Sequence, residues 1–484
     1  MKIRLSKNWL TALGTVVVWC LLGSQPVQGQ SYSNFSSSSN FSSSSERSCT
    51  PGYNCMGSEV ILERLGCDRL VGLLNGCQPR AVLTARRDAD SCTSPDCFVN
   101  NIERVYASEQ PGAVAGSLAQ VQAEIRRAEL LTGSATAVVY TYISGQELQL
   151  VVVPASGKLI QKSVFIPSGY AEIRDTVRRF VEELRDPNSQ DYLPFARTLH
   201  SWLITPIEGD LRSANIQTVI FVMDAPFRAM PISALYDGQR FLVQKFNLAT
   251  VPNMGAVNFT QRDRRRNTIL AMGLTEPMQG FSALPNVGLE VQTISSRILL
   301  GESFLNQQFT INNLKSRQQA QNFGIIHLAT HGEFISNTLD GAFLQFWNER
   351  LFLNEIRNLQ LNQPPVEMLT LSACVTAVGN NLGLGGVAVQ SGVKSVLASL
   401  WAVSDAGTVP LMLNFYSKYP TSKSKAIALR EAQVAMIEGK VIIENNTIKG
   451  IPNLGDIPLA NVRGTVNLRH PYFWSSFLLI GNWL

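Results

Sequence analysis

Two stretches decide how this chain reads. They are Ile325-Ile326-His327-Leu328-Ala329-Thr330-His331-Gly332-Glu333 and, further on, Met368-Leu369-Thr370-Leu371-Ser372-Ala373-Cys374. Each is a short apolar run that ends on a residue able to do chemistry. Such runs, bounded by turn residues, mark strands buried on both faces. The surrounding sequence alternates accordingly. A strand is expected over 268–272, helices over 287–299 and 311–320, and a hairpin over 343–352. A helix over 383–391, a strand over 393–400 and helices over 405–418 and 422–437 follow. Strands alternating with helices imply an α/β fold: a mainly parallel sheet flanked by helices on both faces. In such sheets the chemistry gathers at the carboxyl ends of the strands.

Both quoted strands therefore point His331 and Cys374 at one edge. A thiol is only partly ionised near neutrality, and a neighbouring imidazole can take its proton or favour the thiolate. Gly332 has no side chain to cover its backbone N–H. Together with the Cys374 N–H it can hold the oxyanion of a tetrahedral intermediate. The plainer reading makes Cys374 a small buried hydrophobe and His331 a surface residue.

Upstream of this region the chain has a different organisation. The first residues, with Lys2, Arg4 and Lys7 ahead of an apolar run and Val27-Gln28-Gly29 at its end, read as a secretory signal peptide over 1–29. The run is shorter than the about 20 residues a membrane span requires, and no later stretch approaches that length. The alternative is an uncleaved N-terminal anchor. A serine-rich linker follows over 30–48. Cys49, Cys55, Cys67, Cys77, Cys92 and Cys97 crowd into a module over 49–100. Behind a signal peptide they read as a disulfide framework whose pairing sequence cannot choose. No C-x-x-C and no histidine lie there, so zinc is disfavoured. Cys374 is then the one cysteine of the exported chain outside the cluster.

Residues 101–132 have helical periodicity. Strands are expected over 137–143, 148–153 and 159–166, helices over 170–186 and 192–204, and a buried strand over 216–223 that ends on Asp224. The basic run Arg262-Asp263-Arg264-Arg265-Arg266 serves as a hinge. A net charge of +5, spread among acids, gives no reason to expect a nucleic-acid partner.

The motifs Ala329-Thr330-His331-Gly332-Glu333-Phe334, Leu371-Ser372-Ala373-Cys374-Val375-Thr376-Ala377 and Ser399-Leu400-Trp401-Ala402-Val403-Ser404-Asp405 resemble the CHAT domain. This is a bacterial relative of caspases and separase. The resemblance continues in 223–231, 428–433 and 470–477, and covers about residues 130–484. It implies a caspase-like sheet over 256–484 preceded by a related, non-catalytic half over 133–255. It also implies a cysteine endopeptidase with His331 as general base and acid and Cys374 as nucleophile, needing no metal or cofactor. Val375 stands where the family more often has Glu.

By the same resemblance Asp405 faces the pocket for the residue before the cleaved bond, where a carboxylate would favour Arg or Lys. Alternatively, Ser404 or Asp405 caps the helix that follows. His327, on the same side of its strand as His331, either supports the dyad or is a hydrogen-bonded core histidine. Gly383-Leu384-Gly385-Gly386-Val387-Ala388 fits a dinucleotide fingerprint, but it does not follow its strand directly and is rejected. The expected partners are a protein or peptide substrate and a protein bound through the cysteine-rich module. A catalytically silent interaction module and a thioesterase are the rival readings.

Overall fold

The computed structural model describes residues 48–50, 53–55, 77–79, 86, 88–92, 94–109, 113–260, 267–334, 342–373, 383–401, 404–462, 464 and 466–484. Residues 1–47, most of the cysteine-rich stretch, the Arg262–Arg266 run and Cys374 with the eight residues after it lie outside them.

The apolar runs assemble into one 11-stranded sheet. Its strands are β1 (Thr136–Ser144), β2 (Glu147–Pro154), β3 (Ile160–Phe165), β4 (Thr218–Val222), β5 (Asn247–Thr250) and β6 (Ile269–Gly273). They continue as β7 (Gly301–Leu305), β8 (Ile325–Ala329), β9 (Met368–Ser372), β10 (Ser395–Ser399) and β11 (Phe477–Gly481). The order across the sheet is β7-β6-β8-β9-β10-β11-β5-β4-β1-β2-β3.

Pairing divides the sheet into two parallel blocks. Strands β7, β6, β8, β9 and β10 run one way. β11 is antiparallel to β10 and parallel to β5, and β5, β4 and β1 continue in that opposite sense. The antiparallel strands β2 and β3 finish the edge. The carboxyl ends of the two blocks therefore open on opposite sides of the sheet.

Most of the sheet lies where the apolar runs place it, and the differences have physical causes. β7 carries no apolar run because it is an edge strand, half-buried along its whole length. Sequence analysis assigned no strand there. β11, by contrast, is wholly buried, and hydrogen bonding between the two blocks makes it a strand. The helix expected over 287–299 stops at Thr293 and widens into a π turn over Ile294–Ile298, in which Ser295 Oγ donates back to the Val291 carbonyl.

The periodicity over 101–132 resolves into two helices, α1 (Pro95–Ser108) and α2 (Leu118–Thr132). Pro111-Gly112 lies between them in sequence, and Ser117 with Gln120 forms a capping box that restarts the second. Glu103 of α1 is fully buried and accepts hydrogen bonds from the backbone N–H groups of Gly116 and Met254 and from the Tyr140 hydroxyl. A buried carboxylate with that many donors fastens α1 to both the connection and the sheet.

Between the sheet strands lie α3 (Tyr170–Leu184), α4 (Leu193–Leu203), α5 (Thr205–Ser213), α6 (Val287–Thr293) and α7 (Ile311–Gln321). They continue as α8 (Gly383–Gln390), α9 (Asp405–Lys418) and α10 (Lys425–Ile437). None of the described helices is long and apolar enough to cross a membrane. Near the N-terminus, Ser48–Thr50, Tyr53–Cys55 and Cys77–Pro79 form a small antiparallel sheet in which Cys55 stands opposite Cys77. Cys92 is joined to Cys97 across a Cα–Cα distance of 5.6 Å.

Candidate functional site

β8 and β9 are adjacent and parallel, with Ala329 in register with Ser372. His331 and Cys374 each follow their paired residue by two positions. Cys374 itself lies outside the described residues. The backbone leading to it is well held. The Thr330 N–H donates to the Ser372 carbonyl at 3.1 Å, and the Ser399 hydroxyl donates to the Ala373 carbonyl.

His331 is 8% exposed and is held from two sides. Its Nε2 lies 2.8 Å from the carbonyl oxygen of Ser282, and its ring stacks on Phe281 at 4.7 Å and 15°. A carbonyl only accepts, so Nε2 must carry the proton. In the neutral ring Nδ1 is then the free acceptor. Burial lowers the His331 pKa, while the Ser282 carbonyl pulls it up.

Beyond His331 the chain enters a second small sheet, Gly332–Phe334 against Ala342–Gln345. The Gln345 N–H donates to the His331 carbonyl at 2.9 Å. That bond makes Gly332 and Leu344 a non-hydrogen-bonded pair, so the ladder does not consume the Gly332 N–H.

A cavity of about 290 Å³ opens beside His331, lined also by Ala373, Ser399, Trp401, Glu290 and Asp405. Helix α9 settles the capping question. Ser404 is the N-cap and accepts from the Gly407 N–H at 3.1 Å, whereas Asp405 is the first helical residue and turns to the cavity. Asp405 Oδ2 accepts from the Asn286 backbone N–H at 2.7 Å and from its side-chain amide at 2.8 Å. Asn286 is held in turn by the Ala460 N–H, which donates to its Oδ1 at 2.7 Å. Burial raises the Asp405 pKa, the Asn286 donors oppose this, and the charge of Glu290 adds to the rise.

His327 lies deeper and is fully buried. Its Nε2 is 2.9 Å from Glu290 Oε1 and its Nδ1 is 3.2 Å from the Tyr416 hydroxyl, which meets Thr370 Oγ1 at 2.7 Å. Both ring nitrogens are thereby occupied by core partners. The other two histidines serve elsewhere. His470 caps the turn Pro471–Trp474, and His200 Nδ1 faces Thr205 Oγ1 at 3.2 Å.

Sequence reasoning did not find Phe281, Ser282, Asn286 or Glu290. Ser282 acts through its carbonyl, which every residue type possesses, so no signal for it existed. Glu290 was detectable only as a lone acid in an apolar helix face.

Comparison with known proteins agrees with the motifs. The model of the CHAT domain matches residues 193–482, more than half of the chain. Among solved structures, the separase–securin complex of Saccharomyces cerevisiae superposes with a TM-score of 0.49 at 10% identity. That match covers 80% of this chain and 34% of the other, so this protein spans about a third of the separase chain. The complex of Porphyromonas gingivalis RgpB pro- and mature domains gives a TM-score of 0.38 at 10% identity, covering 64% and 76%. The Arg-specific cysteine proteinase gingipain R gives 0.37 at 10% identity, covering 64% and 74%. No curated protein matches in sequence. By the domain match and the motifs it contains, the chain belongs to the CHAT domain family.

Proposed function

We propose that the protein is a cysteine endopeptidase in which His331 and Cys374 form the catalytic dyad. One observation carries this reading: His331 is fixed by Ser282 so that its Nδ1 is the unprotonated nitrogen, at the end of the strand beside the one leading to Cys374. In this mechanism Nδ1 takes the thiol proton as the sulfur attacks the peptide carbonyl. The N–H groups of Gly332 and Cys374 hold the oxyanion. Collapse of the tetrahedral intermediate breaks the C–N bond, and the imidazolium gives its proton to the leaving amine. Water then hydrolyses the thioester and restores the thiol.

Asp405 selects a basic residue before the scissile bond. Its carboxylate lines the cavity beside His331 and is positioned by Asn286, with burial penalising its charge until a cation enters. His327 belongs to the core and supports the pocket through Glu290.

The deciding experiment is cleavage of a peptide library by the mature protein, with Cys374→Ala as control. Cleavage after Arg or Lys that vanishes in the variant is expected. Equal turnover by both proteins would end the peptidase reading.

The chain is also proposed to be exported, with 1–29 as signal peptide and disulfides in the cysteine-rich module, which would bind a protein partner. The support is the charge and apolar pattern of the N-terminus and the join between Cys92 and Cys97. Alkylation without reductant should label Cys374 alone in the mature chain. Labelling throughout Cys49 to Cys97 would point to a reducing compartment.

A further inference from the structure

The block formed by β1, β4 and β5 has a carboxyl edge of its own. There β4 runs into Met223-Asp224 much as β8 runs into Thr330-His331. Asp224 is 1% exposed, and its oxygens accept from the backbone N–H groups of Ala225 at 2.9 Å and Ile143 at 3.1 Å. Its remaining partner comes from far upstream. Arg86 Nη2 donates to Asp224 Oδ1 at 2.8 Å and to Glu109 Oε1 at 3.0 Å, and its Nη1 lies 3.4 Å from Asp224 Oδ2. The guanidinium also stands over the Tyr142 ring, 5.5 Å from its centre.

The other oxygen of Glu109 takes Arg228 Nη2 at 2.7 Å, and Arg228 Nε donates to the Met223 carbonyl at 2.7 Å. The cluster therefore holds two carboxylates and two guanidinium groups. Without Arg86, Arg228 alone would face both acids, leaving a negative charge in a buried place, which is costly. Burial works against ionised Asp224, but the charge and hydrogen bonds of Arg86, aided by Arg228, outweigh it and hold its pKa below the usual carboxylate range. A planar fork can bridge two carboxylates and lie on a ring at once. A lysine ammonium offers a point charge and no plane.

We infer that this edge is a binding site for a guanidinium group, occupied in cis by Arg86, which fastens the N-terminal cysteine-containing segment to the sheet. The site is independent of the peptidase chemistry and keeps its selectivity when the tethered occupant is removed.

The test is chemical rescue of the full-length protein. Arg86→Ala should melt below the parent and be nicked faster by an added protease upstream of residue 94. Agmatine at about 10 mM should recover about half of the lost Tm and slow the nicking, because a ligand that binds only the folded state stabilises it. Butylamine at the same concentration should do neither, and agmatine should raise the Tm of Arg86→Ala well beyond any shift it gives the parent, whose site at this edge is filled and which reports only what the ligand does at the Asp405 pocket. Parent-like melting of Arg86→Ala, or equal effects of agmatine and butylamine, would overturn the inference. Should Arg86→Ala fail to fold, Arg86→Lys and Arg86→Gln take its place. A fork-selective site requires both to melt well below the parent, and parent-like melting of Arg86→Lys would overturn the inference.

Discussion

The two blocks of the sheet present their carboxyl edges on opposite sides, and the chain finishes those edges in opposite ways. At the first edge Asp224, Arg86, Glu109 and Arg228 close on one another, and neither oxygen of Asp224 lacks a donor. At the second edge, among the described residues, His331 has a partner at Nε2 alone, and Asp405, partly buried, lines an open cavity. One architecture thus supplies both a fastening and a candidate active site. What separates them is whether the charges and hydrogen-bonding groups at the strand ends are paired within the chain. Paired groups stabilise the fold. Groups left short of partners cost some stability, and candidate functional sites are where such groups gather.

The largest expected effect is at the open edge. His331→Ala and Cys374→Ala should each lower peptide cleavage by about 10³-fold or more, and the double variant should lose little further, because dyad members act as a unit. Both variants should melt close to the parent. Kinetics on the library-derived peptide check this, and full turnover in either single variant would remove the contrast between the edges.

At the closed edge the effect should fall on stability. Asp224→Ala leaves Arg86 and Arg228 with Glu109 alone, and loss of one partner in a buried charge cluster costs about 3–5 kcal/mol. Denaturant unfolding measures it. A loss below about 1 kcal/mol would mean that water replaces the carboxylate and that the edge is less closed than its contacts indicate.

Asp405→Asn should divide selectivity from stability. Withdrawing the charge from the pocket should weaken cleavage after Arg or Lys by about 2–5 kcal/mol in transition-state binding. The amide oxygen still accepts from Asn286, so unfolding free energy should move by less than about 1 kcal/mol. Kinetics with basic and neutral peptides, alongside denaturant melts, measure both. An unchanged preference for basic residues would put the specificity pocket elsewhere.

The smallest effect is in pH. Since burial depresses the His331 pKa, the neutral base persists below the usual imidazole value of about 6.5, and the acid limb of cleavage should fall lower than that. Unfolded His331 binds its proton first as pH drops, so this residue's contribution to stability declines as pH falls through about 6.5. A kcat/KM profile with its acid limb above that value would contradict the geometry of the open edge.

Much of this was legible in the residues themselves. β8 and β9 announce themselves as apolar runs because both their faces are buried, and the chemistry-bearing residues follow at the ends where parallel sheets expose them. Edge strand β7 was invisible because half-burial imposes no pattern on Gly301-Glu302-Ser303-Phe304-Leu305. Asp224 could be read as the end of a strand, but its partner could not be named, since Arg86 precedes it by 138 residues.

The sequence by itself determined the α/β class, the strand ends that carry His331 and Cys374, and the motifs that place the chain in its family. These are local properties, written in periodicity and in short runs of residue types. The tertiary structure decided which nitrogen of His331 is free, which core groups hold His327, that Asp405 turns to Asn286 and leaves the cap to Ser404, and that Arg86 fills the opposite edge. The physical reason is common to all four. A hydrogen bond or ion pair needs its partner within about 3 Å. Glu290 and His327 stand 37 residues apart, Ser282 and His331 49, Asn286 and Asp405 119, and Arg86 and Asp224 138, and they reach that distance only once the sheet has formed.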